Sequence, residues 1–411
     1  MLLNIDKIPY VGNRGLIEIR ERHSIAENIE SYLSDIDALY VEFFCGKCLD
    51  KTYLNIRAHL KPNILSDIQS GKLFLILHNI HEAFHEIGKN IIAFCKHFEI
   101  PGSQVIVITS NHGLYDAMNP LCKDHDFDTP RIISCDVFEI QAVNQLDYLI
   151  GELPDNLTQW IDLHAQPESY THRYLNLNRR WREHRTMFVT ALIAHDMLRF
   201  GKVSFGKADD NNYNRVNEII EHASELWPTH KEIAQKINLN IENIINILPL
   251  YLDTKDLVTN RAMPEKADYN LYTTTGISVV SETTFYSSVR VKDYAQPGVF
   301  LSEKAFKPVM HLHPWIMISQ PYTQQVMKLK GYETFSEIWD ESYDYELNDE
   351  HRMYMILKLL SKIISWDEHK FTDAMLRAHE ICLRNIHTLY DKHSNTEKYF
   401  RELNDVETAF C

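Results

Sequence analysis

Short runs of consecutive apolar residues recur through the first third of the chain, each followed by a stretch with helical spacing. They are DALYVEFF (37–44), KLFLIL (72–77) ahead of a helix near 80–98, QVIVITS (104–110) ahead of GLYDAM, and RIISCDV (131–137). A strand that is apolar at every position, not at alternate ones, has both faces covered. Helices between such strands supply that cover and serve as the crossovers of a parallel sheet. The pattern predicts an α/β lobe of the doubly wound kind over 1–160. Prolines and polar residues in GELPDNLTQWIDLHAQPESYTH, 151–172, break the rhythm, and a linker is expected there.

Beyond it, YLNLNRRWREHRTMFVTALIAHDMLRFGKVSFG reads as a strand, a basic turn and a helix, and mostly helical segments follow to about 252. Strands reappear at GISVVSET (276–283) and PWIMIS (314–319), separated by a helix. A second α/β lobe with helical insertions is therefore expected over 170–346. A helical extension is expected over 347–411, where EHRMYMILKLLSKIIS precedes a long amphipathic run from 367 to 392. Two such lobes suit a chain of 411 residues, and ligands would lie in a cleft at the carboxyl ends of the strands.

Composition narrows the classes. With 45% hydrophobic and 24% charged residues the chain reads as globular, and no window reaches the roughly 18 uninterrupted apolar residues of a membrane span. The start, MLLNIDKIPYVGNRG, has no basic-then-apolar secretory pattern, so a cytoplasmic location is expected. Seven scattered cysteines form no disulfide framework. Cys45-Gly-Lys-Cys48 has the spacing of a thioredoxin-type turn, but the size of the chain disfavours that unit and no second such pair exists for zinc. Lys and Arg number 42 against 57 Asp and Glu, a net charge of −15, which disfavours broad adhesion to nucleic acid or anionic membrane.

Three constellations carry chemistry. His81-Glu-Ala-Phe-His85 has the HExxH spacing, in which two histidines one helical turn apart bind zinc and Glu82 acts as general base; His78 and Glu86 are further ligand candidates. The motif sits on a strand-to-helix turn and has no third-ligand signature downstream. Glu82, His81 and His78, with His112, therefore also read as acid/base candidates at strand ends. Asn178-Arg-Arg-Trp-Arg-Glu-His-Arg185 places four arginines at a helix start, where the dipole repels cations. They are either a solvated face or, through Arg179, Arg180, Arg182 and Arg185, a seat for phosphate, whose oxygens a guanidinium grips in pairs. In FLSEKAFKPVMHLHPWIMIS (300–319), Ser302 reads as an N-cap, Glu303 and Lys304 fill the first turn, and His313-Pro314 ends the helix before a strand. Upstream, GISVVSETTFYSSVR ends a strand at Ser281-Glu282 and places Tyr286 and Arg290 in the loop after it.

The order VVSET, a loop, then FLSEKAFKPVMHLHPWIMIS resembles the nucleotide-sugar-binding half of alpha-1,3-fucosyltransferases and related GT-B glycosyltransferases. Ser302-Glu303-Lys304 stands for Thr-Glu-Lys, and His313-Pro314-Trp315-Ile316 for the proline-led strand. GYETFSEIWDESYDYE and NRRWREHR are similar to segments of phage and bacterial glycosyltransferases, so the resemblance spans roughly 170–350. It departs from the pattern at Glu282-Thr283, which replaces Glu-Asn-Ser, and at His311-Leu-His313.

The resemblance implies two Rossmann-like lobes in a GT-B-like arrangement, with the acceptor on the first and the nucleotide-sugar donor on the second. It implies Glu303 on the donor ribose and Lys304 on the diphosphate, with Glu282, Arg290 and the arginine turn as further donor-binding candidates. The expected activity is sugar transfer to a saccharide or to a hydroxymethylated base of phage DNA. No metal or cofactor is expected beyond the nucleotide-sugar co-substrate, and lysine, arginine and helix N-termini would hold the departing diphosphate. Glu82 ranks first as general base; Asp340 and Asp344 read as caps or surface charge. The rival readings are a zinc hydrolase built on HEAFH and a non-catalytic nucleotide-binding module.

Overall fold

The computed structural model of the protein describes residues 38–42, 62–79, 87–134, 137–151, 156–164, 170–178, 182–205, 223–252, 269–287 and 298–394. The chain divides into two compact units. One comprises Met1–Ile140, Ser288–Phe300 and Thr396–Cys411, the other Gln141–Ser287 and Leu301–Asn395.

In the first unit the chain runs through β1 (Ala38–Glu42), α1 (Pro62–Gln69), β2 (Phe74–Asn79), α2 (Ile87–His97), β3 (Val105–Thr109), β4 (Asn111–His112), α3 (Leu114–Asp124) and β5 (Arg131–Ser134). Four of these strands form an all-parallel sheet in the order β1-β2-β3-β5. Every residue of β3 is buried, which is what its unbroken apolar run requires of a strand covered on both faces. Leu75, Leu77, Val105 and Val107 pack with Ile91, Ile92 and Cys95 of α2 and Met118 and Cys122 of α3 into one core. Helix α4 (Val137–Gly151) passes through the division at Ile140/Gln141, and α5 (Asn156–Leu163) follows it.

The second unit begins its sheet with β6 (His172–Asn178), then α6 (Glu183–Ala194) and β7 (Gly201–Phe205). After α7 (Lys231–Leu239), α8 (Ile241–Ile247) and α9 (Tyr269–Thr273) comes β8 (Thr275–Ser281), buried at all seven positions. The chain then passes back through β9 (Val299–Phe300), which pairs antiparallel with β4 inside the first unit. It continues into α10 (Glu303–Met310), β10 (Trp315–Ile318), α11 (Thr323–Leu329), α12 (Asp349–Ile364) and α13 (Glu368–Ser394).

The second sheet is also parallel, in the order β10-β8-β6-β7. The chain builds outward from β6 to β7, then returns to the opposite side of β6 to lay down β8 and β10. That reversal of direction opens a crevice at the carboxyl ends of β6 and β8, where an open α/β sheet receives its ligand. In the first sheet the described strands follow one another in sequence and show no such reversal.

The helices after 347, expected as an extension, belong to the second unit as far as Asn395. Phe371 of α13 lies so close to Gly276 that a Cβ there would stand 2.3 Å from its ring, so α13 packs directly on the start of β8. Among the described residues, no helix is long and apolar enough to cross a membrane.

Candidate functional site

β8 ends at Ser281, and the next residue, Glu282, is 0% exposed. Its backbone N–H donates to Ile318 O of β10 (2.9 Å), which fixes the residue at the sheet edge. Both carboxylate oxygens are engaged: Oε1 accepts from the backbone N–H of Ser302 (3.2 Å), and Oε2 from Ser302 Oγ (2.5 Å) and the backbone N–H of Thr283 (2.8 Å). Glu282 thereby ties the end of β8 to the start of α10. Ser302 is the N-cap of that helix, its Oγ accepting from the backbone N–H of Lys304 (3.3 Å).

Lys304 lies in the first turn, where a cation opposes the helix dipole. Its ammonium donates to Glu303 Oε1 (2.6 Å), Ser302 Oγ (3.1 Å) and Thr283 Oγ1 (3.4 Å), and its side chain stays 25% exposed. Burial pushes the Glu303 carboxyl up. The charges of Lys304 and Lys307 and the hydrogen bond from Lys304 outweigh it, so the group is held below the usual carboxylate range. The adjacent acid and base are thus partners of one another at a half-open site, one acceptor and one cation within reach of solvent.

Helix α6 meets this edge through its first turn. Arg182 is the N-cap residue of α6 and is exposed, whereas Arg185 is buried in its first turn and donates from Nη2 to Ser281 O (3.2 Å) and Glu282 O (3.1 Å). His184 beside it is buried and held neutral, chiefly by desolvation and then by the charge of Arg185. Neutral His184 donates Nε2–H to Glu282 O (3.0 Å) and stacks on Phe285, ring centres 5.5 Å apart. The carbonyls that close β8 therefore face two donors from α6. Phe285 lies in turn under Arg352 of α12, a guanidinium only 1% exposed that is 4.4 Å from the ring. Arg352 pairs with Asp349 (2.7 Å) and donates to Ser319 O, Glu346 O and Phe285 O; Asp349 also accepts from the backbone N–H of Ser287 (2.7 Å).

Two buried asparagines lie at the carboxyl end of β6, where it meets β8. Asn176 donates Nδ2–H to Val279 O (2.6 Å) and to Ser281 Oγ (3.2 Å), bridging β6 to β8. Asn178, the last residue of β6, donates its own Nδ2–H to Asn176 Oδ1. Nothing in the alternation of YLNLN marks these residues as buried, because their cover comes from a strand about a hundred positions downstream.

The structure brings Glu282, Ser302, Glu303, Lys304 and Arg185 together. Arg182 sits at the mouth of the same helix. Arg179, Arg180 and Arg290 lie outside the described residues, as do His81, Glu82, His85 and Glu86. His78 is placed in β2, with nothing described of its side chain, and His112 is buried in β4. Asp344 is buried and caps α11 by accepting from the backbone N–H groups of Gln324 (3.0 Å) and Gln325 (3.3 Å). Asp340 accepts from Ser342 N–H (2.9 Å).

His311 and His313 are packing residues at the far end of α10. His164 Nδ1–H donates to Trp160 O (2.8 Å), so its Nε2 accepts from His311 Nδ1–H (3.0 Å), while His311 stacks on Tyr272, ring centres 4.1 Å apart. His313 donates Nε2–H to Thr275 O (2.8 Å) and accepts at Nδ1 from Ser278 Oγ (2.7 Å). All three imidazoles are neutral in this arrangement, and burial pushes His164 and His313 down to about 4. Among the described residues, no group of three or more His, Cys, Asp or Glu could hold a metal ion.

No family model matches the sequence, and no curated protein matches it. Among solved structures, a glycosyltransferase from Rickettsia africae is similar over 95% of this chain and 83% of its own, at 10% identity and a TM-score of 0.34. A likeness that distant carries no argument about this chain.

Proposed function

We propose that the protein is a glycosyltransferase whose second unit binds a nucleotide sugar at the carboxyl edge of β6 and β8. The observation that carries the reading is the Lys304 ammonium at the N-terminus of α10. It is tethered through Ser302 to Glu282, beside the point where the strand order reverses. An anion seated there meets a lysine and helix N–H groups at once, the combination that stabilises a diphosphate without a metal.

The chemistry asked of the site is modest. The bond between the anomeric carbon and the diphosphate oxygen breaks, the acceptor oxygen bonds to that carbon, and the acceptor proton passes to a base. As the diphosphate leaves with an added negative charge, Lys304 exchanges its contacts with Thr283 and Ser302, and part of that with Glu303, for phosphate oxygens, and Arg182 adds charge at the mouth of α6. Glu303, released from part of its ion pair, is then free to accept from ribose hydroxyls. Glu82, His81 and His78 are the base candidates from sequence, with Glu82 first. The acceptor is a saccharide or a hydroxymethylated DNA base, and a net charge of −15 favours the saccharide.

Calorimetry with a panel of nucleoside diphosphates tests the reading. The wild-type chain should bind at least one below millimolar concentration, and Lys304→Ala should weaken it about 10- to 100-fold. Absence of any nucleotide binding at millimolar concentration would sink the proposal. Slow hydrolysis of a nucleotide sugar in the absence of acceptor separates an enzyme from a silent binding module.

A further inference from the structure

Asn178 holds a buried acceptor to which none of the described residues donates. The residue is 2% exposed, and its Oδ1 has no hydrogen-bond partner. The hydrogen-bond network fixes the orientation of the amide. Asn176 must turn its nitrogen toward Val279 O, a carbonyl that can only accept. Asn176 Oδ1 is therefore the atom facing Asn178, and it requires a donor, so Asn178 presents its nitrogen there. What Asn178 has left to offer is the carbonyl oxygen alone.

Its position is that of the crevice. Parallel pairing sets Leu175 against Ser278, and continuing that register by three residues carries Asn178 level with Ser281, one position before Glu282. On its other side Asn178 stands opposite Phe205, the last residue of β7, and its backbone N–H donates to Ser204 Oγ (3.2 Å). A desolvated carbonyl left without a donor is costly in a folded protein, and few are retained. One retained at the carboxyl end of the central strand, where the sheet receives its ligand, is suited to a donor that arrives with the ligand.

The chemistry of that donor follows from what is free. A nucleobase edge sets N–H donors beside carbonyl acceptors, and a side-chain amide reads it with both of its ends. Asn178 cannot, because its nitrogen is committed to Asn176. A lone acceptor matches the single O–H of a hydroxyl.

We propose that Asn178 Oδ1 accepts a hydrogen bond from a hydroxyl of the bound nucleotide sugar and makes the site discriminate against ligands lacking that hydroxyl. The inference rests on the nucleotide-sugar reading of this edge. It adds a selectivity residue on β6 to the Glu303-Lys304 pair on α10.

The test is calorimetry on the full-length protein with the best-binding nucleoside diphosphate, its 2′-deoxy and 3′-deoxy forms, and the corresponding nucleotide sugar. Asn178→Leu should weaken the hydroxyl-bearing ligand about tenfold and leave one deoxy form unchanged, whereas Asn178→Asp, which keeps the acceptor, should retain the discrimination. A loss seen with the nucleotide sugar but not with the diphosphate assigns the contact to the transferred sugar instead of the ribose, and supports the proposal equally. Should Asn178→Leu fail to fold, Asn178→Ala decides the same comparison. Equal losses for every hydroxyl and deoxy ligand, or no loss for any, would overturn it, the acceptor then serving the fold alone. If the wild-type chain binds no nucleotide, the functional reading itself fails and this inference falls with it.

Discussion

Ser302 occupies the smallest hinge of the site, one hydroxyl that donates to Glu282 and accepts from both the backbone and the ammonium of Lys304. Ser302→Ala removes the helix cap and leaves a fully buried carboxylate short of a donor. Together these should cost about 2–4 kcal/mol, read from the urea midpoint in the absence of nucleotide. Lys304→Ala removes a partly exposed cation, and its thermal midpoint should stay close to wild type while nucleotide affinity falls.

Ser302, Glu303 and Lys304 were readable from the sequence because capping is local: N-cap, acid and lysine lie within three positions. Asn178 was not readable, because the orientation of its amide is set through Asn176, whose own partner Ser281 lies 105 residues on across the sheet, nor was the role of Glu282 as a tether to Ser302, 20 residues away. The lysine's conflict with the helix dipole, visible in the sequence as a hint of a bound anion, is offset within the protein by Glu303.

Asp344 shows what one cap costs when it is buried. Desolvation pushes its carboxyl up to about 7, against the two N–H donors of α11. Between the unfolded value of 3.8 and 7 the folded state holds a proton that the unfolded chain has released, so this group lowers stability as pH rises through that window. Asp344→Asn should remove the slope, and its thermal midpoint relative to wild type should climb from pH 4 to pH 7.

Among the elements, α12 is the least expected contributor. From sequence it belonged to a separate extension, because amphipathic periodicity says which face of a helix is buried and nothing about what buries it. Arg352 and Asp349 instead anchor the segment Phe285–Ser287 immediately beyond the site, and Phe285 carries the ring on which His184 stacks. Arg352→Met strands the Asp349 carboxylate in the interior and should cost about 3–5 kcal/mol; combining it with Asp349→Leu should recover part of that loss in denaturant unfolding. The strands, in contrast, were legible in type and nearly in length. A run such as VIVIT leaves no polar face for solvent, and only a covered parallel sheet accommodates that.

At the scale of the molecule, the buried imidazoles of His164, His184, His311 and His313 are neutral, each lowered first by desolvation. The unfolded chain takes up protons at these positions near 6.5 and the folded one does not, so their contribution is present above that pH and is lost as pH falls toward 4. His164 and His313 account for about 3 kcal/mol each. Asp344 and Glu341, whose carboxyls burial raises, run in the opposite direction over part of that window. The wild-type protein should therefore lose stability steadily between pH 6.5 and pH 4, and replacing His164 with Gln should flatten that loss in a pH series of urea melts. Treatment with a chelator should leave nucleotide affinity unchanged, since the reading assigns the diphosphate to lysine, arginine and a helix terminus.

The reversal in strand order also governs when the site can come into being. Asn176 and Val279, hydrogen-bonded across the centre of the second sheet, are 103 positions apart in the chain, and β7 and helices α6 to α9 are made between them. Closing so long a loop precedes any reward from pairing, which makes this contact slow relative to local helix formation. A chain emerging from the ribosome as far as residue 250 holds β6 and α6 but neither Val279 nor Ser281, the groups to which Asn176 donates. On the proposed reading of the site, binding competence arrives only when β8, α10 and β10 fill the edge beside β6, and nucleotide binding would report on completion of the second sheet.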